Sequence, residues 1–208
     1  MDIEENIAML ILAAGESKRM NGIKQLLPWK KTSLLGNTIE HALNSNVNEV
    51  YVVLGANSEK IKESIAKYPV QIIKNNNWKK GMGTSISCAL EYFKINNLNY
   101  KAVLITLADQ PLIDAKYYNL LILYFSTNKE KIIASSTNNK PSVPAIFDNS
   151  YFEKLSQLNQ DKGAKELLKT VPNDIFIVNT KINMVDVDTE DAYVEIYNNF
   201  GNSGKSSK

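Results

Sequence analysis

The chain is nearly empty of the two residue types that most often carry nucleophilic and soft-metal chemistry. Among 208 residues there is one cysteine, Cys88, and one histidine, His41. A single thiol cannot close an internal disulfide, which fits a reducing, cytoplasmic setting. With so few nitrogen and sulfur ligands, neither a structural zinc site nor a Ser-His-Asp triad is expected. Cys88 falls in the apolar helical stretch Ser85–Phe93 and reads as a small core residue. His41 falls in the pattern of the first helix.

Strong charge imbalance is also missing. The formal net charge is +2, and lysines are spread along the chain, so neither nucleic acid nor a membrane surface is indicated as a partner. No apolar run approaches the roughly 20 residues of a membrane span. The start, Met1–Asn6, is acidic and polar, unlike a signal peptide. The length suits one domain, expected over 1–200, with 201–208 as a flexible C-terminal tail.

What is present is a β-α alternation. Apolar runs at Ile7–Leu12 and Lys101–Leu107 read as buried strands. Further strands are predicted at Glu49–Leu54, Val70–Ile73, Lys131–Ser135, Val143–Phe147, Ile175–Val178 and Met184–Val187. Helical spacing of Leu35, Ile39, Ala42 and Leu43 marks a helix over about Ser33–Ser45. Other helices are predicted at Ser58–Lys67, from the Trp78–Ser85 segment to Phe93, at Asp114–Phe125, Tyr151–Leu158 and Gly163–Thr170, and from Thr189. The expected fold is α/β, a Rossmann-like three-layer sandwich with a mostly parallel sheet. The less regular stretch 137–172 is expected to form a cap.

Ligands in such folds sit at the carboxyl ends of strands. Three unusual segments fall there: Ala13–Lys24, Ala108–Pro111 and Asp186–Asp188. In the first, small residues at Ala13, Ala14 and Gly15 allow close backbone approach, successive N–H groups suit an anion, and Arg19 and Lys24 add positive charge. Taken by charge and spacing alone, the same loop reads equally well as a surface turn with two solvated cations. It is neither a Walker A sequence nor Gly-x-Gly-x-x-Gly. Gly81–Ser85 is either a ligand-contacting glycine pair or a helix start capped by Thr84 or Ser85. Asp109, ending a buried strand, requires a partner. Asp188 is either a ligand or the N-cap of the last helix, and Asp186 lies two positions before it.

Leu12-Ala13-Ala14-Gly15-Glu16-Ser17-Lys18-Arg19-Met20 with Lys24, continued by Gln25-Leu26-Leu27-Pro28-Trp29, resembles the nucleotide-binding signature of the molybdopterin nucleotidyltransferase-like family. Gly81-Met82-Gly83-Thr84-Ser85, Leu107-Ala108-Asp109-Gln110-Pro111 and Asp186-Val187-Asp188-Thr189 resemble its molybdenum cofactor cytidylyltransferase branch. The similarity runs from about Ile7 to Tyr193. It implies a fold of the nucleotide-diphospho-sugar transferase type. It further implies a magnesium-dependent enzyme that transfers CMP from CTP to the phosphate of a molybdopterin-type acceptor.

The resemblance assigns Leu12, Ala13, Ala14, Gly15, Arg19 and Lys24 to the triphosphate. Gly81, Met82, Gly83, Thr84 and Ser85 go to base and sugar, and Asp109 and Asp188 to Mg2+. Lys24, Arg19 and Asp109 become catalytic, and Gln110, Pro111, Gly163 and Lys165 contact the acceptor. A molybdenum hydroxylase or its chaperone is an implied partner.

Two departures bear on the acceptor. Ser142-Val143-Pro144 stands where the branch often has Gly-His-Pro. Lys165 replaces the arginine of an Asp-x-Gly-Ala-Arg stretch here written Asp161–Lys165, which loses the bidentate fork. Other readings remain at this point: GTP or a sugar phosphate as substrate, a non-catalytic accessory protein, or a dehydrogenase.

Overall fold

The structure, a computed structural model, describes residues 6–20, 22–160, 162–179 and 182–202. Residues 1–5, Asp161 and 203–208 lie outside the described residues, so the expectations for the N-terminal start, most of the tail and the first residue of the Asp161–Lys165 stretch concern residues not described.

The chain opens with strand β1 (Ile7–Ala13), buried along its whole length. A 3-10 turn at Lys24–Leu26 leads to a two-residue antiparallel pair, β2 (Pro28–Trp29) and β3 (Thr32–Ser33). Helix α1 (Leu34–Leu43) starts at Ser33, whose hydroxyl accepts from Gly36 N–H. Then come β4 (Glu49–Leu54), α2 (Ser58–Ile65), β5 (Gln71–Lys74) and α3 (Gly83–Ile95). Strand β6 (Ala102–Leu107) is buried throughout and feeds α4 (Ala115–Thr127), N-capped by Asp114. Strands β7 (Ile132–Thr137) and β8 (Lys140–Asp148) form a hairpin. Short helices α5 (Phe152–Ser156) and α6 (Ala164–Thr170), edge strand β9 (Ile175–Val178) and helix α7 (Glu190–Ile196) complete the order.

The main sheet runs β5-β4-β1-β6-β8-β7-β9. β8 is antiparallel to both its neighbours, and the other pairs are parallel. Alternation along β1 explains the layers. Ile7, Met9, Ile11 and Ala13 face one core with α1, α2 and α4, while Ala8, Leu10 and Leu12 face a second with α3, α5 and α6. Each fully buried Ile or Leu contributes roughly 1.5–3 kcal/mol, so the continuous apolar runs that mark β1 and β6 in the sequence also hold the two layers of helices. This is the three-layer α/β fold expected.

The structure departs from the sequence reading in four places. Residues 184–187 form no strand, although Met184 and Val187 are buried. Met184 joins the first core and Val187 the small cluster around Trp29, Leu34 and Ile196, so an irregular segment is pinned at two points without pairing to the sheet. Residues 137–172 do not form a cap as a unit: Lys140–Asp148 is an internal sheet strand, and α6 packs on the sheet. Cys88 is half-buried at the margin of the second core, and burial pushes its thiol upward. Gly201 is buried against Trp29, and its carbonyl accepts from Lys30 N–H at 2.7 Å.

His41 is half-buried on α1 and held below its ordinary value by burial and by Lys30. Among the described residues no helix is long and apolar enough to cross a membrane.

Candidate active site

The chain leaves β1 for β4 and β5 on one side and returns to β6 on the other. The strand order therefore reverses between β1 and β6, and a crevice is expected beyond their carboxyl ends. A cleft of about 650 Å3 opens there. Its walls come from residues 12–18, Lys24, Gln25, Trp78, Lys79, Gly81, Met82, Ser85, residues 107–109 and Asp188. A smaller chamber of about 250 Å3 adjoins it, sharing Leu12, Met82, Leu107, Asp109 and Asp188.

Lys24 sits at the centre. Its Nζ is 2.6 Å from Asp109 Oδ2 and 3.2 Å from Asp188 Oδ1. Arg19 Nη2 lies 3.1 Å from the other Asp188 oxygen. Local folding sets these positions. Lys24 begins the 3-10 turn after the loop. Asp109 follows buried β6. Asp188 is delivered by Val187, which is fully buried and whose N–H donates to Asp109 carbonyl at 2.9 Å. The N-cap of α7 is Thr189, whose hydroxyl accepts from Ala192 N–H. Asp188 is thus not the cap, and its carboxylate serves the two cations.

Burial pushes the Asp109 carboxyl above its ordinary value against the pull of Lys24. Burial acts downward on the Lys24 ammonium, but Asp109 and Asp188 outweigh it and hold it above its usual value. At Asp188 the upward effect of partial burial is exceeded by Lys24 and Arg19, so that carboxyl sits low. Asp109 Oδ1 is buried and has no hydrogen-bond partner among the described residues. A buried carboxylate oxygen without a donor costs free energy unless a ligand reaches it.

Of the nucleotide-contact residues expected from the sequence, Leu12, Ala13, Ala14, Gly15, Lys24, Gly81, Met82 and Ser85 line the cleft. A Cβ at Gly15 would meet nothing within 4 Å, so this stretch of backbone is open to a ligand. Gly81 has φ of 113°, a conformation that favours glycine. Gly83, Thr84 and Arg19 stand outside the lining. Gly83 has a packing reason: a Cβ there would lie 2.6 Å from Lys162 carbonyl, and its N–H donates to Gln160 carbonyl. Neither Thr84 nor Ser85 caps α3. Asn75 instead donates to both hydroxyls, at 2.9 and 3.1 Å, and Thr84 passes its own proton to Gly81 carbonyl.

Gly163 and Lys165 line the smaller chamber with Val143, Glu166 and Asp186. Gln110 and Pro111 line neither space. Gln110 is buried and donates to Asp186 Oδ1 at 2.8 Å, and Pro111 carbonyl accepts from Asn37 at 3.1 Å. Both anchor the turn that carries Asp109 and stand behind the chamber wall.

Sequence reasoning missed Trp78, Lys79 and Gly55, and also Gln25, whose amide donates to the Ala13 and Gly15 carbonyls, and Ser17, whose hydroxyl donates to Gln25. Gly55 admits Trp78 to the wall, since a Cβ there would sit 2.5 Å from Trp78 Cβ and 2.7 Å from Ala14 carbonyl. Its place directly after a valine-rich strand was the available signal.

A two-chambered cleft at the strand reversal of a three-layer sheet, with paired aspartates on one lysine, defines a nucleotide-handling α/β protein. The family model described as MobA-like NTP transferase domain matches residues 9–175, and the chain belongs to this family.

The chain is 28% identical over 170 residues to a nicotine blue oxidoreductase of Paenarthrobacter nicotinovorans, covering 78% of this chain and 81% of that one. It is 24% identical to the molybdenum cofactor cytidylyltransferase of Escherichia coli strain K12, covering 90% and 94%. The crystal structure of Rv0371c from Mycobacterium tuberculosis H37Rv in complex with manganese superposes with a TM-score of 0.73 at 22% identity, covering 92% and 97%, which shows a shared fold.

Proposed function

We propose that this protein transfers a nucleotidyl group, CMP from CTP, to the phosphate of a molybdopterin-type acceptor and releases pyrophosphate. The observation that carries the reading is the Lys24–Asp109–Asp188 cluster at the junction of a large and a small chamber. Two chambers meeting at one charged point suit two substrates that react there. The name of the Escherichia coli relative supports the choice of CTP and molybdopterin.

The donor set suits a hard divalent cation. The free oxygen of Asp109 is buried without a donor, and Asp188 is one residue from a backbone bond to Asp109. The described residues hold no group of three or more His, Cys, Asp or Glu side chains arranged for a metal. Two carboxylates with remaining ligands from phosphate and water is the usual way Mg2+ is held. The manganese complex of the Mycobacterium tuberculosis neighbour fits that chemistry. When bound by Asp109 and Asp188, Mg2+ would supply charge neutralisation at the α-phosphate.

In this reading the loop 13–17 receives the β- and γ-phosphates through backbone N–H groups. Lys24, once released from the aspartates, and Arg19 offset charge on the departing pyrophosphate. A non-bridging oxygen of the acceptor phosphate attacks the α-phosphorus, the α–β bridging P–O bond breaks, and its electron pair leaves with pyrophosphate. The acceptor phosphate is already anionic near neutral pH, so no general base is needed. That agrees with a site without histidine.

One relative carries the name of an oxidoreductase. Two carboxylates suited to a divalent cation beside a lysine suited to phosphate serve nucleotidyl transfer, and the first loop lacks the Gly-x-Gly-x-x-Gly of dinucleotide oxidoreductases, which favours the transferase. Pyrophosphate release measured with each of the four nucleoside triphosphates, with and without molybdopterin cofactor, tests the proposal. Release with CTP and cofactor alone is expected, and no release under any combination refutes it.

A further inference from the structure

We infer that Gln25 is the positioning residue of the triphosphate loop: its buried amide pins two carbonyls of that loop and so aims the loop's N–H groups at the phosphates. The inference rests on the proposed triphosphate site. Gln25 is 4% exposed. Its Nε2 donates to Ala13 carbonyl at 2.9 Å and to Gly15 carbonyl at 3.0 Å, which uses both hydrogens of the amide. A trans peptide points the N–H of one residue opposite the carbonyl of the residue before. The N–H groups of Ala14 and Glu16 are therefore turned away from Gln25. Among the described residues, the amides of Gly15 and Glu16 donate to no protein acceptor. Where a Cβ is built on Gly15 it meets open space.

The strut has a second arm. Ser17 holds a left-handed backbone at φ of 60°, uncommon for a residue with a side chain. Its hydroxyl bridges Gln25 Oε1 at 3.4 Å and Lys24 N–H at 3.3 Å. One short turn, Lys24–Leu26, thus sets both the cation that meets the aspartates and the amide that shapes the loop. Loop and lysine are registered to each other by adjacent residues. Nothing else among the described side chains bonds these two carbonyls.

The test compares wild type with Gln25→Asn, whose amide is one methylene short, and Gln25→Met, which keeps length and has no donor. Pyrophosphate with Mg2+ is titrated calorimetrically at 15 °C, well below each variant's melting point. KM is then determined separately for CTP and for the acceptor.

The expected result is a graded loss of pyrophosphate affinity, at least tenfold for Gln25→Met and less for Gln25→Asn. KM for CTP rises in parallel, and KM for the acceptor stays unchanged. Amide hydrogen exchange is expected to quicken at 14–17 and not in β4 or β6. A residue that merely fills space would lower the melting point without moving pyrophosphate affinity in the folded protein. Affinity equal to wild type in both variants overturns the inference alone. A wild-type protein that binds neither pyrophosphate nor any triphosphate overturns the proposed function and this inference with it. If Gln25→Met does not fold, Gln25→Asn decides by the same two measurements.

Discussion

Lys24 stands between Asp109 and Asp188, the two carboxylates to which the proposed function gives a divalent cation. Replacing it with methionine keeps the length of the side chain and removes the charge. The Lys24 side chain is 15% exposed, Asp109 19% and Asp188 45%, so the Asp109 contact lies in a poorly solvated place and the Asp188 contact is partly screened. Deleting one partner of a buried ion pair costs about 3–5 kcal/mol, and the screened arm argues for the lower end, about 3 kcal/mol. For a chain of this size that corresponds to a melting point lower by about 6–12 °C in chelator-treated buffer.

A divalent cation taking the vacated place would restore much of this loss, because a ligand at one hundred times its Kd stabilises by about 2.7 kcal/mol. Lys24→Met is therefore expected to bind Mn2+ at least tenfold more tightly than wild type without nucleotide, while losing affinity for CTP. Thermal melts across a Mn2+ titration, with calorimetry of Mn2+ and then of CTP, provide the assay. Equal Mn2+ affinity in the two proteins, or a variant that melts with wild type in the absence of metal, refutes the competition between lysine and cation.

Asp109→Ala is expected to abolish transfer while preserving the circular dichroism of the fold, and full divalent-dependent turnover in that variant would overturn the metal assignment. Gly55→Ala places a Cβ 2.5 Å from Trp78 Cβ and 2.7 Å from a backbone carbonyl. It should cost roughly 1–3 kcal/mol in a melt and weaken nucleotide binding, because Trp78 and Ala14 both line the cleft; unchanged stability and affinity would contradict the packing.

Away from the site, Glu49 accepts hydrogen bonds from Tyr100 and Tyr51, which hold its carboxyl below the usual carboxylate range. A depressed carboxyl contributes stability above its unfolded value and loses it as pH falls through its lower folded value. Glu49→Gln should therefore be less stable than wild type by at most about 1 kcal/mol at pH 7, since Glu49 is exposed. Urea melts should show the gap narrowing as pH falls through the acid range, and a gap of constant size would refute the account.

Much of this protein was legible in the order of its residues. The apolar runs of β1 and β6 reported their own burial, because an uninterrupted apolar strand has two covered faces. The small residues 13–15 and the position of Asp109 directly after β6 followed from the same runs. The apolar residues at 184–187 misled, since Met184 and Val187 are buried in two different clusters by an irregular segment that joins no sheet. Gly83, expected at the nucleotide, is also packed tightly against Asn159 and Lys162, which the sequence did not show. Gln25 carried no pattern of its own, since a buried amide is recognised only by the carbonyls it meets.

The sequence by itself determined the class of fold, the carboxyl ends of β1 and β6, and the charged groups Arg19, Lys24, Asp109 and Asp188. The tertiary structure decided which of those groups meet. Lys24 is 85 residues from Asp109 and 164 from Asp188, separations that no local pattern encodes. They come together because β6 returns to lie beside β1, and because Val187, buried under Trp29, ties its N–H to the Asp109 carbonyl.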